Sequence, residues 1–183
     1  MREAAVSTAY RQLQSSGDFS MRQLADSLGI SAPALYHHFT SKQELLDRVA
    51  EQGFAAFGSR LRALEGAEPR EVIRSVLRGY RDFARDEPNL FGLMFVARRP
   101  SARRFPRDFA DHRSAVFNVL WKATAECLSG NQGREHEDAL YLAHDLWALA
   151  HGQILLWRAG RFEDEETFVR VLDRSIERFI ETL

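Results

Sequence analysis

Residues 19–44, FSMRQLADSLGISAPALYHHFTSKQE, decide the fold. Ser20 followed three residues later by Gln23 is a capping box, in which the hydroxyl accepts from an orphan helix N–H while the amide reaches back. A helix therefore starts at Met21. Leu24, Ala25 and Leu28 share one of its faces, and Gly29 takes the left-handed turn that closes it, having no Cβ to clash there. Ser31 is a second N-cap, and Pro33 stands in the first turn of the next helix, where its missing N–H costs nothing. Leu35 and Phe39, four apart, face inward and turn Ala32, Ala34, Tyr36 and His37 to other directions. Ser41 with Glu44 forms a further capping box. Two helices joined by a short glycine-containing turn have the form of the helix-turn-helix, whose second helix enters the DNA major groove.

On either side the apolar residues recur at three and four, and no period-two alternation asks for a strand. The chain reads as all-α. Ala5, Val6, Ala9, Tyr10 and Leu13 make the face of a first helix that ends at residues 15–18. After Ser41 a long helix carries Leu45, Leu46, Val49, Gly53, Phe57, Leu61 and Leu64. At ~1.5 Å per residue it spans roughly 34 Å, enough to tie a small head to a separate body. We divide the chain within it, into a head of residues 1–50 and a body of residues 51–183.

In the body, Pro69 opens a helix with an apolar stripe of Val72, Ile73, Val76, Leu77, Tyr80, Phe83 and Ala84. Residues 89–99, NLFGLMFVARR, predict a short helix buried almost all round. Residues 98–107, RRPSARRFPR, hold five arginines, no acid and two prolines, which reads as a solvated loop, the alternative being a site for an anionic effector or acidic partner. One helix is expected from Asp108 to Gly130, and the stretch SGNQGREH, residues 129–136, connects it to two long helices, about 137–159 and 164–183. These form an antiparallel pair. Their apolar faces, with Leu146, Ile154 and Trp157 on one helix and Val169, Leu172, Ile176 and Phe179 on the other, exceed what one intramolecular neighbour covers. A symmetric dimer built on four helices from two chains covers them.

Composition bounds the function. Lys+Arg is 25 against Asp+Glu 26, a formal net charge of −1, so nucleic acid is not held by an overall basic field. Even residues 1–45 balance: Arg2, Arg11, Arg22 and Lys42 against Glu3, Asp18, Asp26 and Glu44. Binding to DNA must therefore rest on local chemistry. Cys127 is the single cysteine, which excludes an intrachain disulfide and fits a reducing compartment. There is no unbroken run of ~18 apolar residues for a membrane span and no signal-peptide run, so a cytoplasmic location is expected. No phosphate loop, nucleophile elbow or paired-histidine zinc motif occurs, and His144 with His151 lacks a third ligand of matched spacing. We expect no enzyme, no metal and no cofactor.

The motif resembles that of the TetR family of transcriptional regulators. The resemblance rests on Leu28-Gly29-Ile30, Leu35-Tyr36-His37-His38-Phe39 and Ser41-Lys42-Gln43-Glu44-Leu45, and covers roughly residues 3–50. The stretch LWALAHGQILL, residues 146–156, is similar to that family's Trp, His-Gly C-terminal subclass. It implies about nine helices, a helix-turn-helix head, and a helical ligand-binding and dimerising body. By the same resemblance Tyr36 and Lys42 contact phosphates, which position without specifying. His37 lies beside the groove, stacking or bonding to phosphate, and His38 packs or caps against the head. Ser20 and Arg22 approach the groove, where Arg22 is able to read guanine through O6 and N7. Ala32, Pro33 and Ala34 offer no side-chain hydrogen bonds, so direct readout by that helix favours thymine methyl groups. Ser31 caps and also reaches phosphate.

In the body, Phe91, Met94, Phe95, Phe117, Trp121, Trp147 and His151 are the candidates for an aromatic pocket holding a small organic effector. An aromatic stripe at helical spacing serves equally as ordinary core. The expected function is that of a homodimeric, ligand-responsive regulator, a repressor on a palindromic operator. The rival readings are a helical enzyme and an interaction protein that binds no small molecule. An enzyme needs a convergent acid, base or nucleophile set, which the sequence does not offer.

Overall fold

The computed structural model describes residues 1–64, 66–129 and 136–183. Among them the chain is helical, without a strand, and the packing divides it into two compact units. The expected helix end at Gly130 and the connector at 130–135 lie outside the described residues.

The first unit is Met1–Arg60 with Arg85–Ala102. It contains α1 (Arg2–Ser16), α2 (Met21–Ser27), α3 (Ala32–Tyr36), most of α4 (Lys42–Leu61), and α6 (Pro88–Phe91). Gly17 at φ 79° ends α1, and Gly29 at φ 67° bends the chain between α2 and α3. Ala5, Ala9, Leu13, Leu24, Ala25, Leu35, Phe39, Leu45 and Val49 close the core of the three-helix head. The capping box at Ser20 and Gln23 is reciprocal, and Ser31 accepts from the Ala34 amide. The box at Ser41 is not. Ser41 Oγ accepts from the Glu44 amide, but the Glu44 carboxylate turns to the amide and hydroxyl of Thr40, at 2.8 and 2.9 Å.

Residues 88–99 depart from the expected short buried helix. α6 passes into a π-helical turn, Gly92–Val96, closed by the Ala97 amide on the Gly92 carbonyl at 2.8 Å. Leu90, Phe91, Leu93 and Met94 are buried, whereas Val96 is exposed. The extra residue per turn rotates the chain, so burial stops at Met94. Arg99 then folds back and is only 8% exposed. Its guanidinium donates to the carbonyls of Leu93 and Met94 at 3.1 and 3.2 Å. It also sits 3.5 Å from Asp47 on α4 and 5.7 Å from the centre of the Phe54 ring. The solvated reading of the arginine loop therefore fails at Arg99. Gly53 completes the seam, since a Cβ there would lie 2.5 Å from the Met94 sulfur.

The second unit is Leu61–Ala84 with Arg103–Leu183. All seven apolar positions expected on α5 (Pro69–Asp86) are buried. The helix expected from Asp108 is interrupted: α7 (Arg107–Ala110) ends, His112 turns left-handed at φ 56°, and α8 (Ala115–Leu128) restarts. The cause is local. Asp108 accepts from the Arg104 amide and from the Arg113 guanidinium, both at 2.8 Å, which wraps the chain around a buried carboxylate. α9 (His136–Arg158) lies between α8 and α10 (Glu165–Ile180), with Ala143, Leu146, Ala150 and Ile154 buried against them. Arg74 on α5 grips Glu177 on α10 through Nε and Nη2 at 2.8 and 2.9 Å.

Arg99→Met is expected to lower the unfolding free energy by about 3 kcal/mol, because Asp47 is left as an uncompensated, mostly buried charge. Replacing both, Arg99→Met with Asp47→Leu, should recover most of the loss. Urea denaturation of the three proteins checks it.

Candidate nucleic-acid interface

The outer face of the head is set by α3, a helix too short to stand alone that is pinned by Leu35 beneath it. With Leu35 inside, Pro33, Tyr36 and His37 form the outward stripe at spacings of three and one, Tyr36 being 50% exposed. Ala32 and Ala34 flank it, half-buried. Ser31 is exposed at the helix start and Ser20 at the start of α2, each with its hydroxyl engaged as a cap. Arg22 is exposed, and its guanidinium is paired to none of the described residues. His38 is half-buried.

Lys42 begins α4, as the motif requires, but its ammonium is already engaged. It donates to Asp18 Oδ1 at 2.7 Å and lies 5.1 Å over the Phe19 ring. Arg2 is held in the same style, 2.6 Å from Glu44 and 5.0 Å over Phe39. The hydrogen bond from Lys42, followed by that from the Phe19 amide, holds the Asp18 carboxyl below the usual carboxylate range. Glu44 is lowered chiefly by the Thr40 amide. The sequence pattern assigns Glu44 a capping role but pairs neither acid with its cation, because nothing in helical periodicity joins residue 18 to residue 42 or residue 2 to residue 44.

The candidates for an effector site fall in both units. Phe91, Met94 and Phe95 belong to the first, where Phe91 is fully buried and meets Phe95 at 5.2 Å. Phe117, Trp121, Trp147 and His151 belong to the second. There Trp147 is the centre: Phe109, His144 and His151 have ring centroids 5.8–6.0 Å from it, and Phe117 lies at 6.4 Å. Trp121 stacks instead on His112, at 4.5 Å. Sequence reading placed Tyr80 in an apolar stripe and missed its polar end, whose hydroxyl is 2.7 Å from His151 Nδ1. Burial drives the Tyr80 phenol well above its ordinary value and pushes His151 below its own. The phenol thus keeps its proton and the imidazole stays neutral. Among the described residues no group of three or more His, Cys, Asp or Glu is placed to hold a metal.

The candidates for a dimer face also separate. Leu146, Ile154, Leu172 and Ile176 are buried within the chain itself, and Trp157 stacks on Phe168 at 4.9 Å. Val169 and Phe179 are half-buried. The outward strip of α9 consists of Tyr141, Asp145, Ala148, Gly152 and Leu156, beside the exposed Val171 of α10. Nothing lies within 4 Å of where a Cβ of Gly152 would be. Of the loop arginines outside the first unit, Arg103 bonds the Arg113 carbonyl, Arg107 flanks Asp108 at 3.4 Å, and Arg104 is exposed. No described helix is long and apolar enough to cross a membrane.

Two family models match the chain. "Bacterial regulatory proteins, tetR family" covers residues 6–49, and "Tetracyclin repressor-like, C-terminal domain" covers residues 73–183. An uncharacterised HTH-type transcriptional regulator of Mycobacterium tuberculosis is 27% identical over 169 residues, 91% of this chain and 74% of that protein. The class C tetracycline repressor protein of Escherichia coli is 46% identical over 52 residues, 27% of this chain and 24% of its own. A solved structure of a protein of unknown function from Rhodococcus sp. RHA1 superposes with a TM-score of 0.75 at 27% identity, covering 100% of this chain and 94% of that one.

The half-buried His151 makes stability depend on pH. Burial holds its folded value below the ordinary imidazole value of about 6.5, so the unfolded chain takes up the proton first, and this contribution is lost as pH falls below about 6.5. The slope for one proton is at most about 1.4 kcal/mol per pH unit. Denaturation midpoints should therefore fall more steeply between pH 7 and 5 in the natural protein than in His151→Gln.

Proposed function

The chain belongs to the TetR family of bacterial regulatory proteins, which are DNA-binding transcriptional regulators, and from that premise we propose a homodimeric repressor that leaves a palindromic operator when a small organic effector binds. The observation that carries the reading is the outer face of the head, where Pro33, Tyr36 and His37 stand out from a doubly capped turn beside an unpaired Arg22. On this reading α3 enters the major groove. Arg22 reads a base edge, Ala32, Pro33 and Ala34 meet thymine methyls, and Ser20, Ser31, Tyr36, His37 and Lys42 hold the backbone. Two heads then occupy successive major grooves about 34–36 Å apart.

The functional division falls after residue 50, with ligand binding and dimerisation in residues 51–183. The second copy meets the outward strip of α9 and α10 and closes a four-helix bundle with Gly152 at its close approach. Phe117, Trp147 and His151, with Tyr80, offer an aromatic wall and one polar pair to an effector, and residues 146–156 fit the Trp, His-Gly subclass. The effector must bind two dimer arrangements with different affinity, only one of which fits the operator spacing. The protein works in the cytoplasm, where its operator is.

A salt-controlled gel shift against the DNA flanking its own gene tests the reading. Sequence-preferring binding that no condition reveals against competitor DNA would remove it. Within that assay Lys42→Ala should weaken binding to every sequence by a similar factor, whereas Arg22→Ala should relax preference at one base pair per half-site, a loss of ~1–3 kcal/mol of discrimination. For the dimer, Leu156→Arg, at a side chain 50% exposed in the single chain, should sediment as a 21.0 kDa species at micromolar concentration, where the natural protein sediments at twice that mass. An unchanged dimer would place the interface elsewhere.

A further inference from the structure

Asp18 lies in the turn between α1 and α2, its side chain 80% exposed, and it carries no helix end. Among the described residues its carboxylate accepts, besides Lys42, from the neighbouring Phe19 amide, at 2.8 Å. Glu44, the acid on Arg2, differs: it also binds the Thr40 amide and hydroxyl and so shapes the start of α4. Lys42 is the cation with which this family motif meets a backbone phosphate, and an ammonium 2.7 Å from a carboxylate has no room for a phosphate oxygen along that same N–H. A phosphate oxygen that takes that N–H displaces the carboxylate.

Resting on the reading that Lys42 meets a phosphate, we propose that Asp18 sets the affinity for DNA: its carboxylate occupies Lys42 in the free protein, is displaced by phosphate on binding, and then faces the duplex unpaired. Exposed ion pairs are weak, so the exchange is easy. The displaced carboxylate nevertheless stays a few ångströms from the phosphate that replaced it, well inside the ~8 Å screening length of physiological salt, and repels the charged backbone. A head with five cations and five acids in residues 1–50 therefore binds less tightly than its cations alone would. It also releases fewer counterions than one per phosphate contact. The penalty falls on every sequence alike, since phosphates carry no sequence information. It shortens residence on non-operator DNA without changing the ranking of sites.

The test uses the full chain and a fluorescent 30-base-pair duplex of random sequence, with binding followed by anisotropy from about 50 to 200 mM KCl. Asp18→Asn keeps the acceptor for Phe19 and removes the charge. It is expected to bind about two- to fivefold more tightly per head, and to steepen the slope of log K against log salt by up to ~0.9 per head. The gain should be larger with Lys42 present than in the Lys42→Ala background, because only there is a partner exchanged. Weaker binding by Asp18→Asn would mean that the acid holds Lys42 in its working position, and overturns the proposal. An equal gain in both backgrounds would reduce Asp18 to general repulsion and overturns it too. Natural protein that binds no duplex even at 50 mM salt would take away the DNA reading itself, a result distinct from binding that Asp18→Asn leaves unchanged.

Discussion

Gly29, at φ 67°, is the bend on which the head depends. The helices it joins have seven and five residues, far below the ~12–15 at which an isolated helix becomes even marginal in water. Their order comes from their ends and their undersides. Ser20 and Ser31 satisfy N–H groups that would otherwise be orphaned, and Leu24, Ala25, Leu35 and Phe39 are fully buried beneath. Because Leu35 must point down, Pro33, Tyr36 and His37 must point out. A residue with a Cβ at Gly29 would be strained by its backbone alone, since no neighbouring atom stands within 4 Å. The constraint is thus conformational rather than steric, and it fixes the presentation of the outward residues.

The same unit shows how a head without net charge keeps its cations in order. Lys42 and Arg2 are each parked between a carboxylate and an aromatic ring, while Arg99 is drawn inside to two main-chain carbonyls and Asp47. These arrangements differ in consequence. The exposed pairs contribute little to stability and exchange partners readily. The buried one holds α4 against the π-helical turn and cannot be broken from one side without leaving a charge behind. One helix therefore carries a labile cation at its first residue and a fixed carboxylate five residues later.

Much of this was legible because burial follows periodicity. The α5 stripe appears position by position, and Gly29, Ser20, Ser31 and Pro33 place the turn through known backbone preferences. What was not legible depends on partners distant in sequence. Nothing in residues 98–107 distinguishes Arg99, which finds carbonyls freed by a π turn, from Arg104, which stays in solvent. The break at 111–114 follows from Asp108 gathering an amide and a guanidinium, a preference that the apolar spacing overrode in the reading. Glu44 bonds Thr40 rather than Ser41 because both lie within reach of one carboxylate, and spacing alone does not choose between them. Asp18 with Lys42 is the same problem across the candidate interface.

The last two helices show how a face can be read correctly and its use incompletely. The buried row of α9, Ala143, Leu146, Ala150 and Ile154, is consumed by α8 and α10 of the same chain. Its apolar character does not stop there: Ala148, Gly152 and Leu156 continue on the opposite side, where a solvated helix normally carries charge. A helix apolar on two sides has one side too many for a single chain. Gly152 sharpens the point, because glycine costs helix stability of roughly 1 kcal/mol relative to alanine and no atom of the described residues lies within 4 Å of where its Cβ would be. The proposed second copy, approaching on that side, gives the missing Cβ a use. On the proposed dimer, the expected dimer residues and the outward strip become two layers of one bundle, the first holding α9 to its own chain and the second meeting the copy.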